Sequence, residues 1–336
     1  MDMFLSLKEK KIIEPPELIF CGERSVCNSV ALEMVVQSIP SFKSGLAYSV
    51  LYDLLKLFGW TRLLYELPSD QDTVGVLQNQ KCHFAVPRCV SQQTSAFLEG
   101  FPNRPFFVTI LRDQAYLDHI LRGNFDYHSH RNSDPVTHFS AVNDFASKHQ
   151  LNCFRMSAVS NYKLESHFKS VIDYSTKYRN ESLDIGLVNE CLFFSNSGSG
   201  FHSVPKVLRK PMVMVNQVHL NFFGLEALLQ IPKKHWYIDE SRFLSFKEIV
   251  GSELGYILNA NKLKERNIEL VENTPEEIFD AHEECYQRLM GNFDSDPEMV
   301  NLNEEFKKYY LTDTVTPKFK APFGEKFMRQ NIELFR

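Results

Sequence analysis

The sequence predicts an α/β protein built around a parallel sheet with helices on both of its faces. Between Phe106 and Asn216, short apolar segments alternate with amphipathic segments of helical periodicity, as in successive strand–helix–strand units. A turn rich in serine and glycine, SNSGSG at residues 195–200, follows one of the predicted strands. Glycines in such a turn let the backbone bend sharply and approach a ligand closely. The second half of the chain is therefore predicted to carry a ligand-binding sheet.

The composition is that of an ordinary globular protein. The chain has 336 residues, enough for two domains, with 43 % hydrophobic and 24 % charged residues. A formal net charge of −5 provides no general attraction for nucleic acid, so any affinity for phosphate must be local. The seven cysteines are odd in number and form no CxxC pair, which argues against a disulfide framework and a zinc site.

No secretory signal peptide is recognisable in MDMFLSLKEKK, and no apolar run approaches the length of a membrane span. The expected location is therefore the cytoplasm, and peripheral association with the inner face of a membrane is left open.

Residues 1–102 are expected to form a short N-terminal α/β domain. It would contain a strand at residues 18–21, helices at residues 25–38 and 49–60, and strand-like pieces within residues 74–90. The turn-rich segment GFPNRP at residues 100–105 marks the predicted domain boundary.

Residues 103–293 are expected to form a second, Rossmann-like domain. Its predicted strands are residues 106–111, 152–156, 171–174, 191–194 and 211–215, and its predicted helices include residues 136–149 and 183–189. A further helix would follow the Ser/Gly turn, with Ser199 or Ser203 as its N-cap. Capping signals at Ser245 and Thr274 predict two more helices. Residues 294–336 are expected to pack along the surface as a C-terminal tail.

The predicted binding residues fall where the strands end. In a parallel α/β sheet, ligands bind at the carboxyl ends of the strands. Arg112 follows one predicted strand, Arg155 lies near the end of the next, and the Ser/Gly turn follows a third. A strand, a glycine-rich turn and a helix N-terminus together form an anion site, because unpaired N–H groups face one point. The alternative is that any strand-to-helix turn favours Gly and Ser.

The predicted anion is the diphosphate of a nucleotide-sugar. Arginine suits bidentate contacts to phosphate, although a single arginine equally often forms a surface ion pair. Asparagines here either contact sugar or nucleotide or cap turns, and a lysine pair is often a solvated face. The residues predicted to bind the donor are Arg112, Arg131, Asn132, Arg155, Ser197, Gly198, Ser199, Gly200, Asn216 and Lys233.

If a sugar is transferred from such a donor, a base must activate the acceptor hydroxyl. Asp113 is the first candidate and His128 the second. For Asp113, a role as partner of Arg112 or as a turn cap is an equally good interpretation. His128, His130 and His138 lack a carboxylate or cysteine at a known ligand spacing, so no metal site is predicted.

Nine short motifs occur in one order along the second half of the chain. They are RDQAYL at residues 112–117, YHSHRNSD at 127–134, RM at 155–156, IDY at 172–174, LDI at 183–185, FFSNSGSG at 193–200, KPMVMVN at 210–216, IPKKHW at 231–236 and RFLSFKEI at 242–249. Together they resemble a family of bacterial glycosyltransferases related to the GT-B fold. The resemblance covers roughly residues 106–249.

This resemblance implies a GT-B-like protein of two Rossmann-like domains facing a cleft, the N-terminal one short. The C-terminal half would bind a nucleotide-sugar and the N-terminal half a glycan or lipid-linked acceptor. The expected function is metal-independent transfer of a sugar in cell-surface polysaccharide synthesis, without a cofactor. Two features depart from the family: the first hundred residues match it poorly, and the turn is SNSGSG instead of a form nearer GTSSG.

The sequence leaves two alternative functions open. A nucleotide-sugar epimerase of the same fold would use the same phosphate site. A non-catalytic scaffold would keep the donor half and bind a partner glycosyltransferase, an interpretation that the short N-terminal half favours.

Overall fold

The computed structural model describes residues 2–12, 19–21, 28–38, 41–43, 45–60, 72, 75–77, 80–121, 125–221, 228–257, 259–310 and 321–336. The elements before the main sheet are α1 (Asp2–Glu9), β1 (Ile19–Cys21), α2 (Ser29–Ser38), β2 (Ser41–Lys43), α3 (Gly45–Leu57) and α4 (Arg88–Leu98). β1 and β2 pair in parallel as a small sheet of their own. The strand-like pieces predicted within residues 74–90 are not strands where the structure describes them, and α4 begins there instead.

The centre of the protein is a six-stranded sheet in which every strand pair is parallel. Its strands are β3 (Phe106–Ile110), β4 (Asn152–Met156), β5 (Val171–Asp173), β6 (Phe194–Asn196), β7 (Met212–Gln217) and β8 (Leu229–Pro232). The helices between them are α5 (Pro135–Lys148), α6 (Tyr174–Lys177), α7 (Glu181–Glu190) and α8 (Ser203–Val207). The predicted parallel α/β architecture is therefore confirmed.

The spatial order of these strands is β5-β4-β3-β6-β7-β8. The chain builds the sheet outward from β3 in one direction, returns to the middle, and builds outward from β6 in the other. This is the strand order of a doubly wound, Rossmann-like sheet, and its direction reverses between β3 and β6. The crevice at the carboxyl ends of these two strands is where such sheets bind ligands.

Side chains that alternate along the strands supply two apolar cores. On one face, Phe107 packs against Phe139 and Phe145 of α5. On the other face, Val108 packs with Leu187 of α7. Because each face is covered by helices, side chains on both faces of the strands are removed from water, and β3 and β7 are accordingly rich in apolar residues.

Two local predictions need correction. The strand predicted at residues 191–194 begins only at Phe194, because Cys191 is the C-cap of α7 and its N–H donates to the carbonyl of Leu187. The helix predicted after the Ser/Gly turn is short, a 3₁₀ turn at Gly200–His202 followed by the five-residue α8. Arg209, with a φ of 56°, turns the chain away just beyond α8.

The C-terminal part adds a second sheet and several helices. They are β9 (Lys234–Tyr237), β10 (Arg242–Phe243), α9 (Phe246–Val250), α10 (Ala260–Lys264), β11 (Ile268–Val271), α11 (Pro275–Met290), α12 (Pro297–Phe306) and α13 (Glu325–Gln330). β9, β10 and β11 form an antiparallel sheet in the order β10-β9-β11. The capping boxes predicted at Ser245 and Thr274 are both present.

In its described residues, the C-terminal tail contributes side chains to the core, instead of only packing along the surface as predicted. Phe306, Phe327 and Phe335 are almost completely buried and belong to the same apolar cluster as Phe246. Some charged residues of the tail form ion pairs, such as exposed Arg329 of α13 with Asp296, the N-cap of α12.

Helices α2 and α4 of the N-terminal part pack on the sheet domain. Val30 and Met34 of α2 share an apolar cluster with Ile185 of α7. Glu181 of α7 accepts hydrogen bonds from the N–H and hydroxyl of Ser29 at the start of α2. α4 lies before the predicted boundary at residue 102, yet its Phe97 packs in the core of the sheet.

Gly186 lies where α7 crosses α4, and we expect Gly186→Ala to destabilise the protein. A Cβ at this position would lie 1.8 Å from Oγ1 of Thr94, whose hydroxyl bonds the carbonyl of Val90. In an open helix this substitution would stabilise by about 1 kcal/mol. Here overpacking is expected to cost about 2–3 kcal/mol in the free energy of unfolding, measured by urea denaturation.

Two further variants make this test specific. Gly200→Ala, where a Cβ meets nothing within 4 Å, should be nearly neutral. Adding Thr94→Ala to Gly186→Ala should recover part of the loss, because it removes the atom that the new methyl group contacts most closely. A Gly186→Ala variant as stable as the native protein would contradict this account of the helix crossing.

In the part of the chain that the structure describes, no helix has both the length and the apolar character needed to span a bilayer.

Candidate anion site at the centre of the sheet

The loops that follow β3 and β6 are joined where the order of the strands reverses. The hydroxyl of Ser197, just after β6, accepts a hydrogen bond of 2.8 Å from the N–H of Arg112, just after β3. The N–H of Ser197 donates in turn to the carbonyl of Ile110 at 3.3 Å. Ser197 is completely buried. Its side chain therefore holds the two loops together, a structural role beside the phosphate contact predicted for it.

The conformation of the Ser/Gly turn is fixed by two hydrogen bonds of the Asn196 side chain. Asn196 Oδ1 accepts a hydrogen bond of 2.9 Å from the N–H of Ser199, and its Nδ2 donates to the Ser199 carbonyl at 3.3 Å. Gly198 has a φ of +83°, in the left-handed region that favours glycine. Within the described residues the Gly198 N–H meets no acceptor. Gly200 is exposed, and Ser199 caps the 3₁₀ turn through its hydroxyl.

Arg131 and Arg112 bring two positive charges to this turn. The Nη2 of Arg131 donates a 2.6 Å hydrogen bond to the carbonyl of Gly198. Burial and then the nearby Arg112 lower the pKa of Arg131 to about 10, so it stays charged at neutral pH. Burial also lowers the pKa of Arg112, and Asp113 partly offsets this effect. No carboxylate of the described residues lies within ion-pair distance of either guanidinium group.

A cleft opens beside Arg131. It is lined by Arg131, Ser197, Gly198, Asn216, Gln217, Val218 and His219. The guanidinium group of Arg131, the Ser/Gly turn and the end of β7 therefore meet at one cleft.

Asn216 shapes the far wall of the cleft. Its φ of 52° is unusual for a residue other than glycine. The Asn216 N–H donates to Asn273 Oδ1 at 2.6 Å, and the Asn273 N–H donates to Asn216 Oδ1 at 2.7 Å. Both side chains are buried. These two reciprocal hydrogen bonds connect the end of β7 to the segment just before α11. Asn216 therefore has a structural role at the wall of the cleft.

Lys233 is a positioning residue in this structure. Its ammonium group is buried and donates to the carbonyls of His130 and Asn132, at 3.3 and 2.5 Å. It also pairs with Glu272 at 3.1 Å. Glu272 accepts a hydrogen bond from the N–H of Asp134 as well. Lys233 thus fixes the 3₁₀ turn at Asp126–Arg131 that presents Arg131, and its amine has no donor left for the phosphate contact predicted from the sequence.

Two neutral histidines face each other at the same turn. His130 Nδ1 donates to the carbonyl of Tyr127 at 3.1 Å, which leaves a lone pair on Nε2. That lone pair accepts from Nε2 of His219 at 3.1 Å. Burial, followed by the charge of Arg131, lowers the pKa of His130 to about 4 and that of His219 well below its usual range. Both imidazoles are therefore uncharged at neutral pH, and the arginines supply the positive charge of the site.

The two predicted bases, Asp113 and His128, differ in the number of hydrogen bonds that they already accept. The Asp113 carboxylate accepts from the N–H of Ala115 at 3.1 Å, from the Ser160 hydroxyl at 3.0 Å and from the Asn161 N–H at 3.4 Å. It acts as a turn cap, the alternative interpretation of the sequence. His128 stands on the same 3₁₀ turn as Arg131, and its buried Nδ1 has no partner. Burial, then Arg131 and Arg112, lower the pKa of His128, so it is a neutral imidazole able to accept a proton.

The guanidinium group of Arg155 is held by contacts with residues that follow β4 and with β5. Its guanidinium group lies 3.5 Å from Asp173, donates to the Tyr162 carbonyl at 2.8 Å and also bonds the Ser160 hydroxyl. It packs over the rings of Phe139 and Tyr162. The guanidinium is almost completely buried. These contacts favour a structural role, and the phosphate contact predicted for Arg155 stays a prediction.

Sequence reasoning missed several residues of the site. Gln217 and His219 line the cleft, and Glu272 and Asn273 support it from the segment before α11. Of the cleft residues at the end of β7, only Asn216 was predicted from the sequence to belong to the site. The pairing of β6 with β7 puts the end of β7 beside the Ser/Gly turn. The sequence signal for this is merely that polar residues follow directly on an apolar strand.

Among the residues with described positions, no group of three or more His, Cys, Asp and Glu side chains is arranged to hold a metal ion. Comparison of the sequence with known protein families, and with functionally characterised proteins, gives no match. The case for function therefore depends on the site itself, and the resemblance carried by the nine motifs remains a hypothesis.

Proposed function

We propose that the protein is a glycosyltransferase that moves a sugar from a nucleotide-sugar to a glycan or lipid-linked acceptor, in the synthesis of cell-surface polysaccharide. The observation that carries this proposal is the pair of partly buried guanidinium groups, Arg112 and Arg131, beside the unpaired N–H of Gly198. Two like charges without a carboxylate partner are unfavourable until an anion joins them. A diphosphate has the charge and the acceptor oxygens to do so.

In this proposal the six-stranded sheet is the donor-binding half of a GT-B-like arrangement, and residues 1–102 provide the acceptor side. The position of the site supports it, because the arginines and the Ser/Gly turn lie at the carboxyl ends of β3 and β6, where the strand order reverses.

The arrangement provides what glycosyl transfer needs. The acceptor oxygen forms a bond to the anomeric carbon of the donor sugar, and the bond from that carbon to the diphosphate oxygen breaks. The electron pair leaves with the nucleoside diphosphate, whose growing charge Arg112, Arg131 and the Gly198 N–H stabilise. The acceptor hydroxyl gives its proton to His128, which is neutral and has a free ring nitrogen. Because arginines offset the diphosphate charge, transfer is proposed to need no added divalent metal.

The experiment is a turnover assay with UDP-, GDP-, CMP- and dTDP-sugars, in which release of the nucleotide is measured with and without bacterial glycan or lipid acceptors. One donor should be consumed. His128→Asn is expected to lower its turnover about 100-fold, within the usual contribution of a general base, with donor affinity nearly unchanged. His167→Asn changes an exposed histidine and is the matched control.

The outcomes separate the alternatives. Formation of an epimeric nucleotide-sugar without nucleotide release would identify an epimerase. Absence of binding to every nucleotide and sugar nucleotide would contradict the proposed function and favour a non-catalytic scaffold.

A further inference from the structure

Two neutral carboxamides lie next to the two arginines of the anion site. Gln114 is two residues after Arg112, and Asn132 directly follows Arg131. Both side chains are half-buried. They contact each other through a single long hydrogen bond of 3.5 Å from Asn132 Nδ2 to Gln114 Oε1. The backbone of Asn132 is fixed, because its carbonyl accepts from Lys233 and its N–H donates to the carbonyl of Ser129.

The other half of each carboxamide has no partner. Gln114 Nε2 and Asn132 Oδ1 are both shielded from water and make no hydrogen bond, as do Nε of Arg112 and Nδ1 of His128 close by. Buried polar groups are almost always paired, so four unpaired atoms on two adjoining segments call for an explanation. A polar ligand that enters beside the cleft and shifts these side chains slightly would supply the missing partners.

The chemistry of that ligand follows from the pattern of donors and acceptors. The pair therefore leaves one N–H₂ group as a donor and one carbonyl oxygen as an acceptor without a partner. If both amide groups were rotated by 180°, their mutual bond would reverse and the pair would still offer one donor and one acceptor. A hydroxyl group both donates and accepts, so two neighbouring hydroxyls satisfy such a pair. The arginines supply charge, whereas the carboxamides supply neutral contacts to whatever the phosphate carries.

We propose that Gln114 and Asn132 together bind neighbouring hydroxyl groups of the sugar attached to the bound diphosphate, and so help to select the donor. This inference rests on the proposed function, since it assumes that the anion is a phosphate that carries a sugar. A sugar joined directly to the phosphate must lie within a few ångströms of the arginine contacts, which is where the sequence neighbours of those arginines stand. The ribose of the nucleotide is the other source of a diol.

The experiment compares Gln114→Met and Asn132→Leu, which keep most of the side-chain volume and remove the amide. Affinities are measured by calorimetry for the free nucleotide and for its sugar conjugate, using whichever pair among UDP, GDP, CMP and dTDP the native protein prefers. Each variant should lose about tenfold in affinity for the nucleotide-sugar and less than twofold for the free nucleotide. Because the residues act as a pair, the double variant should lose little more than either single one. Thermal unfolding of each variant confirms that it is folded.

The controls keep the two proposals distinguishable. If no nucleotide binds, the proposed function fails, and glucose 1-phosphate is compared with inorganic phosphate. A tenfold loss for glucose 1-phosphate alone in both variants would still support the carboxamide pair. Equal losses for the nucleotide-sugar and the free nucleotide would assign the pair to the ribose, and unchanged affinities for all ligands would overturn it. Binding of no phosphate compound at all contradicts both proposals.

Discussion

Arg131→Met is expected to weaken binding of the nucleotide donor about 100-fold, equivalent to about 2.7 kcal/mol. The guanidinium of Arg131 reaches the Ser/Gly turn, where it bonds the Gly198 carbonyl at 2.6 Å, and it lines the cleft. Its charge is only partly solvated, so its hydrogen bonds to a phosphate would belong to the strong, charge-assisted class. Calorimetric titration of the native protein and the variant with the preferred nucleotide measures the effect.

Two further variants serve as a comparison and a control for Arg131→Met. Arg131→Lys keeps the charge but loses the planar fork, so an intermediate loss is expected. Arg329→Met removes an exposed arginine that pairs with Asp296 at the C-terminal end of the chain, and it should leave affinity unchanged. If Arg131→Met bound nucleotide as tightly as the native protein, the anion site would have to lie elsewhere.

The second large effect is expected when the pH is lowered. His138, His235 and His282 are completely buried, and burial is the main cause that lowers their pKa values to about 3, 4 and 4. An unfolded histidine titrates near 6.5. Between about pH 6.5 and pH 4 the unfolded chain therefore binds more protons than the folded one. The free energy of unfolding is present in full above pH 6.5 and falls as the pH drops through this window.

The expected slope is steep. With His130 and His219, whose pKa values burial also lowers, five such histidines give about 7 kcal/mol per pH unit near pH 5 as an upper estimate. Buried Glu284 and Asp184 work in the opposite direction, because burial raises the pKa of each carboxyl. Urea denaturation at pH 7.5, 6 and 5 measures the slope.

A substitution at one histidine shows whether these residues are responsible. In His138→Gln the slope should fall by about a fifth, since one of five such groups no longer titrates. His138 bonds the Thr109 hydroxyl at 2.8 Å, and glutamine retains a polar group that can do the same. His167→Gln changes an exposed histidine and should leave the slope unaltered. A protein that stayed equally stable from pH 7.5 to pH 5 would rule out this explanation.

The sequence predicted best those elements whose signals are local. α5 begins at Pro135 because Asp134 caps it, accepting from the N–H of Thr137 at 2.7 Å, and both residues are visible in the sequence. Thr274 and Pro275 start α11 in the same way. β3 was predicted within one residue, since four of its five buried residues are apolar and the fifth is the β-branched Thr109.

The roles of single side chains were harder to predict, because they depend on partners far along the chain. Lys233 was predicted to reach a phosphate, but Glu272 and two backbone carbonyls of the 3₁₀ turn hold it in the interior. Arg155 was grouped with Arg112 because both end strands, yet Asp173 on the neighbouring strand is its ion-pair partner. The order of strands that brings the ends of β3, β6 and β7 together results from the crossovers, which no short motif records.

The most direct test of the central claim is a thermal-shift screen of the native protein and Arg131→Met against UDP, GDP, CMP and dTDP, each with and without its sugars. A ligand that binds only the folded state, at about 100 times its Kd, adds about 2.7 kcal/mol of stability. We predict a selective rise in Tm with one nucleotide and its sugars in the native protein, and none in Arg131→Met. The same Tm in every condition, or an equal rise in both proteins, would contradict a diphosphate site between β3 and β6.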